Sequence, residues 1–158
     1  MSKMLASAIA YASMMHENQL DKGGKPYILH PLRLMFRMSQ YTTDPELLCM
    51  CVLHDVMEDC GVTRADLLSI GMSDRVIYAV MTLSRVDGET YDQFIDRICM
   101  SHDSMLVKLE DLRDNSDPSR LIGVTARDLQ RIEKYMKAYK KIETSLKLYD
   151  QFFIKEIV

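Results

Sequence analysis

The chain has 158 residues, 47% of them hydrophobic and 27% charged, with a formal net charge of −3. That is the composition of an ordinary globular domain, long enough to bury roughly 70% of its unfolded surface. The charge excludes a basic nucleic-acid surface or a polybasic membrane patch but suits a small charged metabolite in a local pocket, and no run reaches the ~20 apolar residues of a membrane span.

Helix signals dominate from the start. Between Ser2 and Gln19, Leu5, Ala8, Ile9, Ala12 and Met15 recur at spacings near three and four, one apolar stripe. Ser7 and Ser13 interrupt it, so it reads as an amphipathic helix and not as a cleaved signal. The loop from Asp21 to Pro26 carries two glycines and a proline. Pro31 is placed to open a second helix, Leu32 to Gln40. Asp44-Pro45-Glu46 starts a third, with a capping carboxylate, a proline that forfeits no hydrogen bond and an acid at the positive end of the dipole; it should run to about Cys60 and stop at Gly61. Thr63-x-x-Asp66 opens a short helix closed by Gly71. Ser73 caps the next, to about Leu83.

After a polar loop, Thr90 caps a helix expected through His102. Met105 to Asn115 holds Leu106, Leu109 and Leu112 in helical register, and Ser116-Asp117-Pro118-Ser119 breaks it. Thr125-x-x-Asp128 opens a long helix with Leu129, Ile132, Met136, Tyr139 and Ile142 on one side and a potential break near Thr144-Ser145. Strand alternation, repeats and low-complexity linkers are not evident. The expected fold is all-α, a single domain over 1–158, a bundle of about eight helices.

Cys49, Cys51, Cys60 and Cys99 form no C-x-x-C pair, which argues against a zinc knot or disulfide framework and for reduced thiols in a cytoplasmic protein. The thirteen methionines suit adaptable core packing. The apolar terminal stretch FFIKEIV can pack on the core or on a second subunit, so a homo-oligomer stays open.

The chemistry concentrates in CVLHDVMEDC, residues 51–60. On one helix His54, Asp55, Glu58 and Asp59 project within about a turn, while Leu47, Leu48, Cys51, Val52, Val56 and Met57 cover much of the rest. Ionisable groups on a central helix are expensive unless paired or bound to a metal, and a divalent cation would serve this cluster. Taken alone, H-D-x-x-E-D is also the pattern of a solvated helix face. Two further stretches weigh against that: His30-Pro31 sets an imidazole at the mouth of a helix, and Asp111 lies among Val107, Leu109 and Leu112.

Together, His30, His54-Asp55 and Asp111 resemble the H…HD…D signature of HD-domain phosphohydrolases. H-x-x-Q-x-x-K-x-G-x-P-Y-x-x-H-P from His16 to Pro31, L-H-D-V-x-E-D, E-T-Y at 89–91 and V-K-L-x-D-x-x-x-N at 107–115 are similar to the hydrolase domain of the RelA/SpoT alarmone enzymes. The resemblance spans about Leu5 to Tyr139, and the length fits the small stand-alone alarmone hydrolases. It implies an HD-type helical fold and a divalent metal, usually manganese, held by His30, His54, Asp55 and Asp111. Such a donor set without thiolate also suits zinc or iron. Glu58 and Asp59 match the acidic pair that orients and deprotonates the attacking water. The implied reaction removes the 3′-pyrophosphate of ppGpp or pppGpp to give GDP or GTP plus pyrophosphate. Asn115, Lys22 and Lys108 match residues that meet the nucleotide, although Lys108 could equally snorkel to the surface. Tyr27 and Tyr91 read as core packing, His16 as a structural hydrogen-bonding residue, and His102 as an imidazole meeting the last carbonyls of a helix.

One departure is Asp21, where the family carries an arginine that stacks on guanine; Arg113, Arg120 or Arg127 could take over. Glu110 and Asp114 make the last motif more acidic than the family pattern. Asp21 keeps open an HD phosphohydrolase acting on another nucleotide, such as NADPH at its 2′-phosphate. A third reading is a catalytically silent helical module that binds a nucleotide or a protein partner; the Glu58–Asp59 pair argues against it, since binding alone needs no water-activating acids.

Overall fold

The computed structural model describes residues 2–154, with side chains to Phe152. The helices are α1 (Lys3–Met15), α2 (Leu29–Met38), α3 (Pro45–Leu53), α4 (Val56–Cys60), α5 (Arg64–Ser69), α6 (Asp74–Leu83), α7 (Tyr91–Ile98), α8 (His102–Asn115) and α9 (Ala126–Tyr149), the last running into a π-helical turn. The only bridge among the described residues is an isolated Leu20–Pro26 pair. The all-α expectation stands, and among the described residues no helix is long and apolar enough to cross a membrane.

Capping side chains set most helix starts. Ser2, Asp44, Thr63, Ser73, Thr90, Ser101 and Thr125 each accept a backbone N–H from the first turn that follows. Gly61 closes α4 at φ 68°, a left-handed backbone that a side chain would strain.

The core forms around α3, which packs against α1, α2, α6 and α8. Every residue from Leu47 to Leu53 is buried. Each large apolar side chain so buried contributes on the order of 1.5–3 kcal/mol relative to exposure. A central α3 matters because it ends at His54.

Several boundaries differ from those expected. The third helix is in two pieces. His54 Nδ1 donates to the Cys51 carbonyl at 2.9 Å, taking the acceptor the Asp55 N–H would use in an unbroken helix. The chain turns at Asp55 and restarts as α4. The first helix ends at Met15, where His16 turns inward to Gln19. The second begins at Leu29, so His30 lies inside its first turn. Pro31 is tolerated there because first-turn N–H groups have no intrahelical partner.

The helix from Thr90 stops at Ile98, and the Ser101 cap starts α8 at His102. His102 therefore stands at a helix start, beside the Tyr149 ring at 5.0 Å, and meets no terminal carbonyls. α9 runs unbroken through Thr144, whose hydroxyl bonds back to the Lys140 carbonyl at 2.9 Å. Its buried residues are Ala138 and Ile142; Leu129 and Met136, expected on the apolar side, are exposed. The expected packing of the C-terminal FFIKEIV lies, beyond Phe152, outside the described side chains; Phe152 itself is exposed.

Candidate metal centre and nucleotide cavity

The buried imidazoles come from two neighbouring helices: His30 near the start of α2 and His54 at the end of α3. Their ring centroids are 5.2 Å apart, edge to face. α8 supplies Asp111, and the turn between α3 and α4 supplies Asp55. One ligand atom each from His30, His54 and Asp111 lies within 4.8 Å of the others. Asp55 Oδ2 closes the group, 2.8 Å from His54 Nε2 and 3.7 Å from His30 Nε2. Asp111 Oδ1 is 3.1 Å from His30 Nε2 and 3.6 Å from His54 Nε2. The four residues expected to act together are thus brought together, from parts of the chain up to 81 positions apart (111 minus 30).

The outer nitrogens explain the ring orientations. His30 Nδ1 bonds to the buried carboxylate of Asp114 at 2.7 Å and His54 Nδ1 to the Cys51 carbonyl. Both Nε2 atoms are buried and make no hydrogen bond of acceptable geometry. With Nδ1 carrying the proton, each Nε2 lone pair faces carboxylate oxygens, an arrangement that needs positive charge between them. The other contacts agree. Burial opposes the charged form of His54, but Asp55 and Asp111 outweigh it and push its pKa up to about 10. Burial likewise opposes the Asp55 carboxylate, and His54 outweighs it and holds Asp55 at about 2. Two nitrogens and two carboxylates, three of the four residues buried, fit a borderline-to-hard divalent cation, and His30, His54, Asp55 and Asp111 could hold one.

The surrounding side chains lock the carboxylates. Lys108 Nζ lies 2.7 Å from Asp111 Oδ2 and 5.0 Å from the Phe94 ring centre. Its side chain is only 14% exposed, so it points into the centre and does not snorkel outward. Asn115 Nδ2 donates to Asp111 Oδ1 at 2.6 Å, and Tyr27 OH to Asp55 Oδ2 at 2.6 Å. Tyr27 is therefore part of the site, where the sequence suggested packing alone. Tyr91 does pack, against Phe94 and Tyr135. His16 makes the expected structural bond, to Gln19 Oε1 at 2.7 Å.

Glu58 and Asp59 sit in the first turn of α4, the helix that follows Asp55, and are exposed. Their hydrogen bonds run to flanking loops: Arg85 N donates to Glu58 Oε2 at 3.0 Å, and Gln19 Nε2 to Asp59 Oδ2 at 2.8 Å.

Beside the centre is a cavity of about 320 Å³ lined by Lys22, Tyr27, Asn115, Arg120, Arg131 and Tyr135, among others. Lys22 and Asn115 thus line this cavity, whereas Lys108 pairs with Asp111 and does not line it. The lining carries three cations, Lys22, Arg120 and Arg131, and two carboxylates, Asp21 and Asp117. Asp21 does not offer a free acceptor to the cavity. Its carboxylate accepts the Gly23 and Lys25 backbone N–H groups, both at 2.9 Å, and pairs with Arg120 at 3.4 Å. Of the three arginines weighed against Asp21, Arg120 alone lines the cavity. Arg113 instead pairs with Glu110, and Arg127 is exposed. Arg131 and Tyr135 were missed; their i, i+4 spacing on α9 is the signal that could have found them.

No family model matches the chain. A probable guanosine-3′,5′-bis(diphosphate) 3′-pyrophosphohydrolase of Mycoplasma pneumoniae is 25% identical over 92% of this chain and 22% of its own length. A protein of the same description from Mycoplasma genitalium is 30% identical over 58% of this chain and 12% of its own length. A guanosine-3′,5′-bis(diphosphate) 3′-pyrophosphohydrolase of Vibrio cholerae is 44% identical over 33% of this chain and 7% of its own. The chain spans at most 22% of these curated relatives. Among solved structures, a metazoan ortholog of SpoT, described as hydrolysing ppGpp with a role in starvation responses, superposes with a TM-score of 0.74 at 20% identity, covering 96% of each chain. The chain is therefore similar in sequence to proteins named as ppGpp 3′-pyrophosphohydrolases, and its fold is that of the metazoan SpoT ortholog.

Proposed function

We propose that this chain is a metal-dependent phosphohydrolase that removes the 3′-pyrophosphate of ppGpp or pppGpp, releasing GDP or GTP and pyrophosphate in the cytoplasm. The observation that carries the reading is the convergence of His30, His54, Asp55 and Asp111 beside a cavity whose lining includes Lys22, Arg120 and Arg131. The sequence similarity to named hydrolases supports the same substrate class.

His30, His54, Asp55 and Asp111 hold the cation, with manganese the expected occupant for this oxygen- and nitrogen-only set. When bound, it neutralises phosphate charge and lowers the pKa of an attacking water. Glu58 and Asp59 orient that water and accept its proton as its oxygen bonds to phosphorus. The bond from phosphorus to the ribose 3′ oxygen breaks, and the 3′ oxygen takes up a proton. Lys108 keeps Asp111 ionised and in place. Lys22 meets the phosphates, and Asn115 links Asp111 to the ribose side of the cavity. Lys22 and Arg131 on the cavity wall suit the other diphosphate.

The test is the purified chain with manganese and ppGpp, with products resolved by anion-exchange chromatography. GDP and pyrophosphate in equal amounts are expected. No turnover of ppGpp or pppGpp by metal-loaded protein, or release of inorganic phosphate instead, overturns the reading.

A further inference from the structure

Asp114 is the most heavily bonded side chain near the centre. It lies one turn beyond Asp111 on α8 and is 2% exposed. Its Oδ2 faces His30 Nδ1 at 2.7 Å, Arg33 Nη2 at 3.0 Å and Arg120 Nη1 at 2.5 Å. Its Oδ1 faces Arg33 Nε at 2.9 Å and both terminal nitrogens of Arg37, at 3.0 and 3.1 Å. A carboxylate has about four lone-pair sites, so these donors leave it no alternative orientation. Burying it is expensive unless the fold needs it, and an apolar residue of similar volume would fill the space at less cost.

The charges around it are met without an imidazolium. Arg37 also pairs with Glu110 at 2.8 Å, a carboxylate shared with Arg113 at 3.6 Å, and Arg120 pairs with Asp21 at 3.4 Å. The carboxylates of Asp114, Glu110 and Asp21 thus already face the guanidinium groups of Arg33, Arg37, Arg113 and Arg120. The network needs no positive charge from His30 and asks of it only an Nδ1–H. That bond fixes the tautomer and turns the Nε2 lone pair toward Asp111 and Asp55.

Arg120 extends the support to the cavity. Besides Asp114 and Asp21 it meets the Asp114 carbonyl at 2.9 Å and Asn115 Oδ1 at 3.3 Å. The loop that carries Asp21 is pressed onto it: a Cβ on Gly23 would stand 2.3 Å from the Arg120 carbonyl oxygen. Asp21, Arg120, Asp114 and His30 therefore form one unbroken chain from the cavity wall to the metal centre.

We propose that Asp114 is a positioning residue that fixes the His30 ring for the cation, and that Arg120 ties this support to the cavity wall through Asp21. The inference rests on the metal reading above. It also gives Asp21 a task in place of base stacking: it anchors the arginine that braces the ligand set.

The test is titration of the metal-free full chain with Mn²⁺ alone, read by calorimetry, for wild type, Asp114→Asn and Arg120→Met. Asp114→Asn should weaken Mn²⁺ binding by about 10- to 100-fold. Arg120→Met leaves Asp114 paired with Arg33 and Arg37 and should weaken it less, on the order of two- to tenfold. Wild type that binds no Mn²⁺ removes the metal reading itself. Wild type that binds with Asp114→Asn unchanged overturns only the role of Asp114, and Arg120→Met unchanged overturns the link to the wall. Should Asp114→Asn fail to fold, the Zn²⁺-loaded wild type answers by long-range ¹H–¹⁵N NMR. His30 should keep a slowly exchanging proton on Nδ1 with the metal on Nε2, and the opposite arrangement overturns the proposal.

Discussion

His30 and Asp111 sit on helices and His54 at the end of one, all packed into the hydrophobic core, whereas Asp21 and Lys22 sit on a loop and Arg120 ends a single 3-10 turn, Pro118–Arg120, the two braced against each other. Around the first set Leu34, Leu53, Met105 and Leu112 are buried. Around the second, Ile122 and Val124 are exposed at 89% and 51%. Ligands that must converge to tenths of an ångström are held by close packing, which tolerates little movement. The cavity proposed to admit a nucleotide is held by ion pairs and a turn, where local opening costs less. The two regions should respond to mutation differently: metal content and stability for the first, substrate affinity for the second, with Arg120 the link whose loss also weakens metal binding.

The largest effect is expected at Asp111. Asp111→Asn removes a ligand and leaves Lys108 buried without its counter-charge. Dialysed protein should retain no manganese where wild type retains about one equivalent, turnover should vanish, and the melting temperature should fall. Losing a fully buried partner costs about 3–5 kcal/mol, and the 14% exposure of Lys108 puts this case toward the lower figure. Unchanged metal content with a raised KM would erase the division between the two regions.

Glu58→Gln tests the boundary between them, because α4 belongs to neither. Its kcat should fall by about 10²- to 10⁴-fold, the range for a positioned proton acceptor. Metal content should stay at the wild-type level, and stability within about 0.5 kcal/mol, since the side chain is exposed. Loss of metal in this variant would move Glu58 into the ligand set.

Gly23→Ala sharpens the view of the rim. The added methyl group would collide with backbone, which cannot yield as a flexible side chain does. Overpacking of this kind costs about 1–3 kcal/mol, or roughly 2–4 °C in melting temperature per kcal/mol at this size. The KM for ppGpp should rise while metal stoichiometry holds. A KM that stays put would show that the Asp21 loop does not contact substrate.

How much of this was legible in the sequence follows the same division. Caps and glycines announced most helices because their signals are local, and the four side chains that the fold brings together, His30, His54, Asp55 and Asp111, were picked out by the ordered set of motifs that resembles a known family. What the sequence did not reveal depended on contacts between distant segments. The Asp114–Arg120–Asp21 chain joins residues up to 99 positions apart, so Asp21 looked like a missing arginine and Asp114 like surplus acidity. The break at His54 depends on a ring reaching back to the Cys51 carbonyl, which periodicity does not encode. Tyr27 looked like core because its ring packs beside His16, at 4.9 Å, while only its hydroxyl reaches Asp55.

The smallest effect belongs to the start of α9, where core-like and rim-like behaviour meet on one helix. Thr125 Oγ1 accepts the Asp128 N–H at 3.3 Å, and Asp128 Oδ2 accepts the Thr125 N–H at 3.0 Å. Asp128 in turn holds Arg131 at 3.2 Å, one turn before Tyr135, and both Arg131 and Tyr135 line the cavity. Thr125→Ala removes one half of this capping box, at a cost of about 0.5–2 kcal/mol. The buried part of α9, Ala138 and Ile142, lies more than three turns away and should be unaffected. Melting should drop by only a few degrees and metal affinity should not change, while the KM for ppGpp rises modestly as Arg131 loses its fixed partner. If the KM is unmoved although hydrogen exchange shows the first turn fraying, Arg131 does not need a rigid helix start to serve the cavity, and the rim reduces to Lys22, Asn115 and Arg120.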